Sequence, residues 1–121
     1  MWVFKLLSYL PLSVLYLLAD FLYFLAFYII GYRKKVVWQN LKNSFPEKTD
    51  EELKRIQKKF YRHLAEVFIE TLKILSISKK ELEKRFVVKN IDLLTNRLNE
   101  GKTVLVLTAH LFNWEWLSLI T

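Results

Sequence analysis

Cysteine is missing altogether from this chain of 121 residues, and glycine and proline occur only twice each. Without cysteine there is no disulfide, no thiolate metal ligand and no cysteine-bound covalent intermediate. Any acyl or phosphoryl transfer must therefore use another nucleophile or pass directly between substrates. No His/Asp/Glu cluster has the spacing of a metal site, and no cofactor is expected. There is no internal repeat and no low-complexity tract. Acid is also in short supply, with twelve Asp and Glu against nineteen Lys and Arg, a net charge of +7. That excess favours anionic partners: lipid headgroups, an acidic carrier protein or nucleic acid. A solvated surface beside an anionic membrane would account for many of the lysines equally well.

Charge is almost absent from the first thirty residues. Between Phe4 and Ile30 only Lys5 and Asp20 are charged, and Leu, Phe and Tyr dominate the remainder. At about 1.5 Å per residue, such a helix is long enough for the roughly 30 Å hydrocarbon core of a bilayer. Its length and the lack of an A-x-A-like cleavage site set it apart from a secretory signal peptide. Asp20 is costly at mid-membrane, about 2.5–3.5 kcal/mol on insertion scales. It must be protonated, face a protein group, or lie near the interface in a re-entrant or in-plane helix. Pro11 suits the first turn of a helix starting near Ser8 or Leu10. Arg33, Lys34 and Lys35 follow the apolar run directly, so the positive-inside rule places residue 33 onward in the cytoplasm, with these three meeting anionic headgroups. The expected division is a membrane-spanning or monotopic helix over 1–32 and a soluble part over 33–121.

Beyond the apolar segment, Tyr32 to Ser44 reads as a short basic amphipathic helix, with Val37, Leu41 and Phe45 on one side, ended by Pro46. Thr49-Asp50-Glu51-Glu52 is a capping box opening a helix that runs to about Ser76. Leu53, Ile56, Phe60, Leu64, Phe68, Thr71 and Leu75 form its expected core stripe. Ser78-Lys79-Lys80-Glu81 repeats the pattern for a short helix to about Arg85. Phe86-Val87-Val88 suggests a short strand. Asn90 caps a helix over Ile91 to Asn99, with Gly101 ending it in the left-handed conformation. Thr103 to Thr108 is a continuous apolar run of strand length, as in a strand covered on both faces. The expected fold class is α/β: a membrane helix, a helical region, then the first βα unit of an incomplete α/β domain.

Chemistry concentrates at the carboxyl end of that expected strand, where His110 is followed by Asn113-Trp114-Glu115-Trp116. On one continuous helix His110 and Glu115 would stand about 140° apart. If His110 ends a strand and Asn113 caps a new helix, Glu115 enters the first turn and can fold back towards the imidazole. A carboxylate on Nδ1 would fix the tautomer and leave Nε2 to take a proton from a hydroxyl. The bare His-x-x-x-x-Glu spacing is common; a capped helix with a surface Glu and a partly buried His has the same pattern. The Trp residues can stack on a ligand or serve as core or interfacial anchors. Gly101-Lys102-Thr103 imitates the tail of a phosphate-binding loop, but Asn96 stands where the first glycine belongs. His63 reads as a packed or surface side chain of the long helix.

Taken together, the chain resembles the N-terminal part of the lipid A biosynthesis lauroyl/myristoyl acyltransferases, bacterial enzymes of the glycerol-phosphate acyltransferase-like fold. The resemblance rests on the apolar N-terminal helix, Gly31 to Val37 with Asn40-Leu41, Ser44-Phe45-Pro46-Glu47, Tyr61 to Glu66, and the approach to Ala109-His110 with Asn113-Trp114-Glu115. It implies a membrane enzyme of the bacterial inner membrane with its catalytic side cytoplasmic, residues 33–121 being the N-terminal part of a truncated acyltransferase domain. An acyl carrier protein would be the donor and a lipid A precursor or related membrane lipid the acceptor. By the same resemblance His110 is the general base, Glu115 its partner, and Asn113 and Trp114 contribute to substrate binding. Phe112 departs from the glycine usual in that pattern and would alter the turn or narrow the acyl pocket. Full-length relatives continue well beyond this point, so the 121-residue chain is expected to be an inactive fragment by itself. The reading from another class is a non-enzymatic, membrane-anchored basic helical protein that binds anionic lipid or nucleic acid. No recognised nucleic-acid motif supports the latter, so no nucleic acid is expected as a partner.

Overall fold

The computed structural model describes residues 2–107, 109 and 113–119, and the chain divides into two units, 1–76 and 77–121. The first unit consists of α1 (Trp2–Ser8), α2 (Leu12–Phe24), α3 (Lys34–Ser44) and α4 (Asp50–Lys73). Helix α2 continues through a π-helical turn over Leu25–Ile30. Pro11, at φ −56°, stands just before α2, where its preset φ is an advantage and its missing N–H costs nothing. The apolar run stops at Gly31, whose φ of +65° is strained for any side chain with a Cβ.

Thr49 and Glu52 start α4 as the capping box anticipated. The Thr49 hydroxyl accepts from the Glu52 N–H, and the Glu52 carboxylate accepts from the Thr49 N–H at 2.9 Å. These bonds hold the Glu52 carboxyl below the ordinary glutamate range.

The core of this unit is the contact between α2 and α4. Leu12, Leu15 and Ala19 pack against Ala65 and Ile69, with Leu15 and Ile69 fully buried. Phe27 adds an edge contact to the Tyr61 ring at 5.3 Å between centroids. The stripe of α4 that faces inward is Leu53, Gln57, Tyr61, Ala65 and Ile69, an unbroken four-residue repeat. This displaces the expected stripe: Leu53 belongs to both, but Phe60, Leu64, Phe68 and Leu75 are exposed. The small Ala65 admits the neighbouring helix closely, while Gln57 and Tyr61 carry polar heads that find backbone carbonyls. Size and apolarity alone pointed to the wrong face.

Polar contacts join α4 to the apolar segment along its length, and their order makes the pair antiparallel. Lys73 Nζ donates to the Ser8 and Leu10 carbonyls at 2.8 and 3.0 Å, and Ser76 Oγ donates to Ser8 O. Tyr16 Oη donates to Glu70 Oε1 at 2.7 Å, and Arg62 reaches Asp20 Oδ1 at 3.1 Å through both Nε and Nη2. Tyr61 Oη donates to the Tyr32 carbonyl, and Gln57 Nε2 to the Lys34 carbonyl at 3.0 Å. Asp20, the awkward charge of the apolar run, is thus paired within its own chain.

The second unit holds α5 (Lys79–Arg85), α6 (Ile91–Asn99) and a 3₁₀ segment over Trp114–Leu119. Ser78 caps α5 by accepting from the Glu81 N–H at 3.2 Å. Asn90 precedes α6 in the left-handed region at φ +56°, without a side-chain cap, and Gly101 follows it at φ +71°. The expected α/β class is not what forms: there is no strand among the described residues, and no first βα unit. Neither Phe86-Val87-Val88 nor the described part of 103–108 is a strand. A strand exists only through ladder bonds to a neighbour, which an apolar run cannot supply alone. Leu105 and Leu107 are 84% and 89% exposed, the reverse of a strand covered on both faces.

Candidate functional site

The residues singled out for chemistry fall in the second unit, and those for headgroup contact in the first. Asn113 immediately precedes the 3₁₀ segment; it is buried, and its carbonyl accepts from the Trp116 N–H at 3.4 Å. Trp114 follows, 44% exposed, and then Glu115, half-buried in the first turn. A turn opening after Asn113 with Glu115 near its start is the local geometry expected from the sequence, although it is 3₁₀ rather than α. Trp116 is buried, and its indole Nε1 has no hydrogen-bond partner among the described residues. His110 and Phe112 lie outside the described residues, so the expected imidazole–carboxylate pairing rests on sequence.

Arg33, Lys34 and Lys35 surround the start of α3. Arg33 adopts a left-handed conformation at φ +50° just before the helix. Arg33 and Lys35 are exposed, whereas Lys34 is half-buried with its Nζ 4.0 Å from the Phe27 ring centroid. That position over a ring face is a cation–π contact. Lys34 therefore closes the end of the apolar segment, and its carbonyl is the acceptor for Gln57. Three cations at a helix N-terminus oppose the macrodipole, which there favours anions. A groove of about 330 Å³ opens beside them, with Arg33 at its edge and Val36, Val37, Phe60 and Leu64 among its walls.

Sequence reasoning missed the polar residues that tie the apolar segment down: Tyr16, Gln57, Tyr61, Arg62 and Glu70. A signal was present in Gln57 and Tyr61, which interrupt α4 at a strict four-residue interval from Leu53, Ala65 and Ile69. Such an interval marks a face whatever the polarity of its members. No group of three or more His, Asp or Glu able to hold a metal ion occurs among the described residues.

The described residues thus form a helical protein in which an apolar helix, long enough by length and composition to cross a bilayer and followed by cations, packs on an amphipathic helix. The family follows from comparison: the model of the bacterial lipid A biosynthesis acyltransferases matches residues 1–120, and the chain belongs to that family. Acyltransferase activity towards lipid is the function of the family. No curated protein and no solved structure matches the chain.

Proposed function

We propose that the protein takes part in transfer of a fatty acyl group from acyl carrier protein to a hydroxyl of a lipid A precursor or related membrane lipid. The family match over residues 1–120, which takes in His110 and Asn113-Trp114-Glu115, carries this reading. In the proposed reaction His110 Nε2 removes the proton of the acceptor hydroxyl as its oxygen attacks the thioester carbonyl. The tetrahedral intermediate collapses with cleavage of the C–S bond. The imidazolium then returns the proton to the departing thiolate, leaving an ester and the free carrier thiol. Glu115 orients the ring and stabilises its charged form; because the acceptor hydroxyl attacks the thioester directly, no covalent enzyme intermediate forms. That fits a chain without cysteine. Asn113 and Trp114 contribute to substrate binding, while Arg33, Lys34 and Lys35 face anionic headgroups on the cytoplasmic side of the inner membrane.

The test is acyl transfer from a radiolabelled acyl carrier protein thioester to lipid, in membranes carrying this chain within a full-length member of its family. His110→Ala should lower kcat by about 10²–10⁴-fold, the usual contribution of a positioned general base. Glu115→Gln should lower it less, with KM for the lipid little changed. Transfer that survives His110→Ala undiminished would contradict the proposed base.

A further inference from the structure

Helix α2 is apolar on two opposite faces, and within the first unit one of them packs on α4. Leu12, Leu15, Ala19 and Phe27 are buried towards α4. Val14, Leu17, Phe21, Phe24 and Tyr28 are exposed, Leu17 by 70%. Their alternating steps of three and four residues draw a continuous stripe about half a turn away from the buried one. Cations stand at both ends of the segment, Lys5 before it and Arg33 and Lys35 after it. Exposed Trp2, Tyr9, Tyr28 and Tyr32 lie at the same two ends, where aromatic side chains with polar atoms suit a water–lipid boundary.

The polar ties decide how this surface can meet a bilayer. From Ser8 to Lys34 the segment is held by α4 through Lys73, Glu70, Arg62, Tyr61 and Gln57. If Leu12–Ile30 crossed a membrane with α4 attached, Lys58, Lys59, Arg62, His63, Glu66 and Glu70 would enter with it. Each Lys or Arg alone costs about 2.5–3.5 kcal/mol at the bilayer centre on insertion scales. Crossing without α4 would expose the buried Leu15 and Ile69 contact and leave Asp20 unpaired in hydrocarbon. Lying flat requires neither.

We propose that Leu12–Ile30 lies in the plane of the membrane surface rather than across it. The Val14–Tyr28 stripe sinks into the acyl region of an anionic leaflet, and α4 clamps the opposite face on the water side. Such a seat matches the depth of about 5–10 Å typical of interfacial helices. The inference concerns topology alone and is independent of the acyl-transfer chemistry.

The absence of native cysteine makes single-cysteine labelling clean. Ser13→Cys and Lys35→Cys place exposed thiols near the two ends of the segment. In inverted inner-membrane vesicles a membrane-impermeant maleimide should label both to comparable extents, and in intact spheroplasts neither. A Ser13→Cys thiol reached only from the opposite face would establish a crossing helix and overturn the proposal. A bimane fluorophore on Leu17→Cys should lose fluorescence in phosphatidylglycerol vesicles whose acyl chains are brominated. Oxidative cross-linking of Leu17→Cys into a dimer without that loss would assign the stripe to a second copy and equally overturn it.

Discussion

The side-chain hydrogen bonds described in the two units differ in reach. In the first, groups more than fifty positions apart meet: the Tyr16 hydroxyl with the Glu70 carboxylate, and the Lys73 and Ser76 side chains with the Ser8 carbonyl. In the second, the pairs Ser78–Glu81, Arg85–Glu81, Arg97–Glu100 and Lys102–Glu100 each join residues no more than four apart. Local pairs of this kind stabilise individual helices by only a few tenths of a kcal/mol. Contacts between distant elements instead make one cooperative body, because breaking one exposes several buried groups together. Contacts between distant elements therefore set the structure of the first unit. The residues proposed for chemistry lie in the unit in which these pairs are local.

Truncating an apolar side chain in each unit gives the largest expected contrast. Leu15→Ala removes a fully buried residue between α2 and α4 and should cost about 2–5 kcal/mol. Leu105→Ala, at a site 84% exposed, should stay within about 0.5 kcal/mol. Denaturant unfolding in detergent micelles measures both; equal losses would erase the distinction. A polar tie comes next. Tyr61→Phe keeps the ring against Phe27 but removes the donor to the Tyr32 carbonyl, an expected loss of about 0.5–1.5 kcal/mol. Faster amide exchange around Tyr32 should accompany it.

The smallest effect is at the start of α4. Because the folded-state pKa of Glu52 is lowered, its contribution is complete above the unfolded carboxylate pKa and disappears as pH falls through the lowered value. Acidification should fray the first turn of α4 in hydrogen exchange, and Glu52→Gln should remove that pH dependence. A pH step that persists in Glu52→Gln would assign it to another group.

Features governed by neighbouring residues were legible in the sequence. The Thr49 and Ser78 caps, the start of α6 after Asn90 and the left-handed Gly101 each depend on a few consecutive positions. Features that require a distant partner were not. The Thr103–Thr108 run has strand composition, but composition supplies no neighbouring strand. The face of α4 was misjudged because its partner accepts Gln57, Tyr61 and Ala65 more closely than Phe60, Leu64 and Phe68. Asp20 was visibly out of place, yet nothing near it in sequence pointed to Arg62, forty-two positions away. The candidate site is a residue pattern read from sequence, and it lies within the range that the family model covers. The turn over Trp114–Leu119 accords with it locally.

The central structural claim is that α2 and α4 remain paired when the protein is in a membrane. A distance between spin labels on Ser13→Cys and Thr71→Cys, measured by pulsed dipolar spectroscopy in lipid nanodiscs, tests it most directly. Packed helices whose axes are about 8–10 Å apart predict a single short distance, broadened only by the label linkers. A population separated by roughly the 30 Å of a hydrocarbon core would show that α2 leaves α4 to cross the bilayer, and would contradict the account.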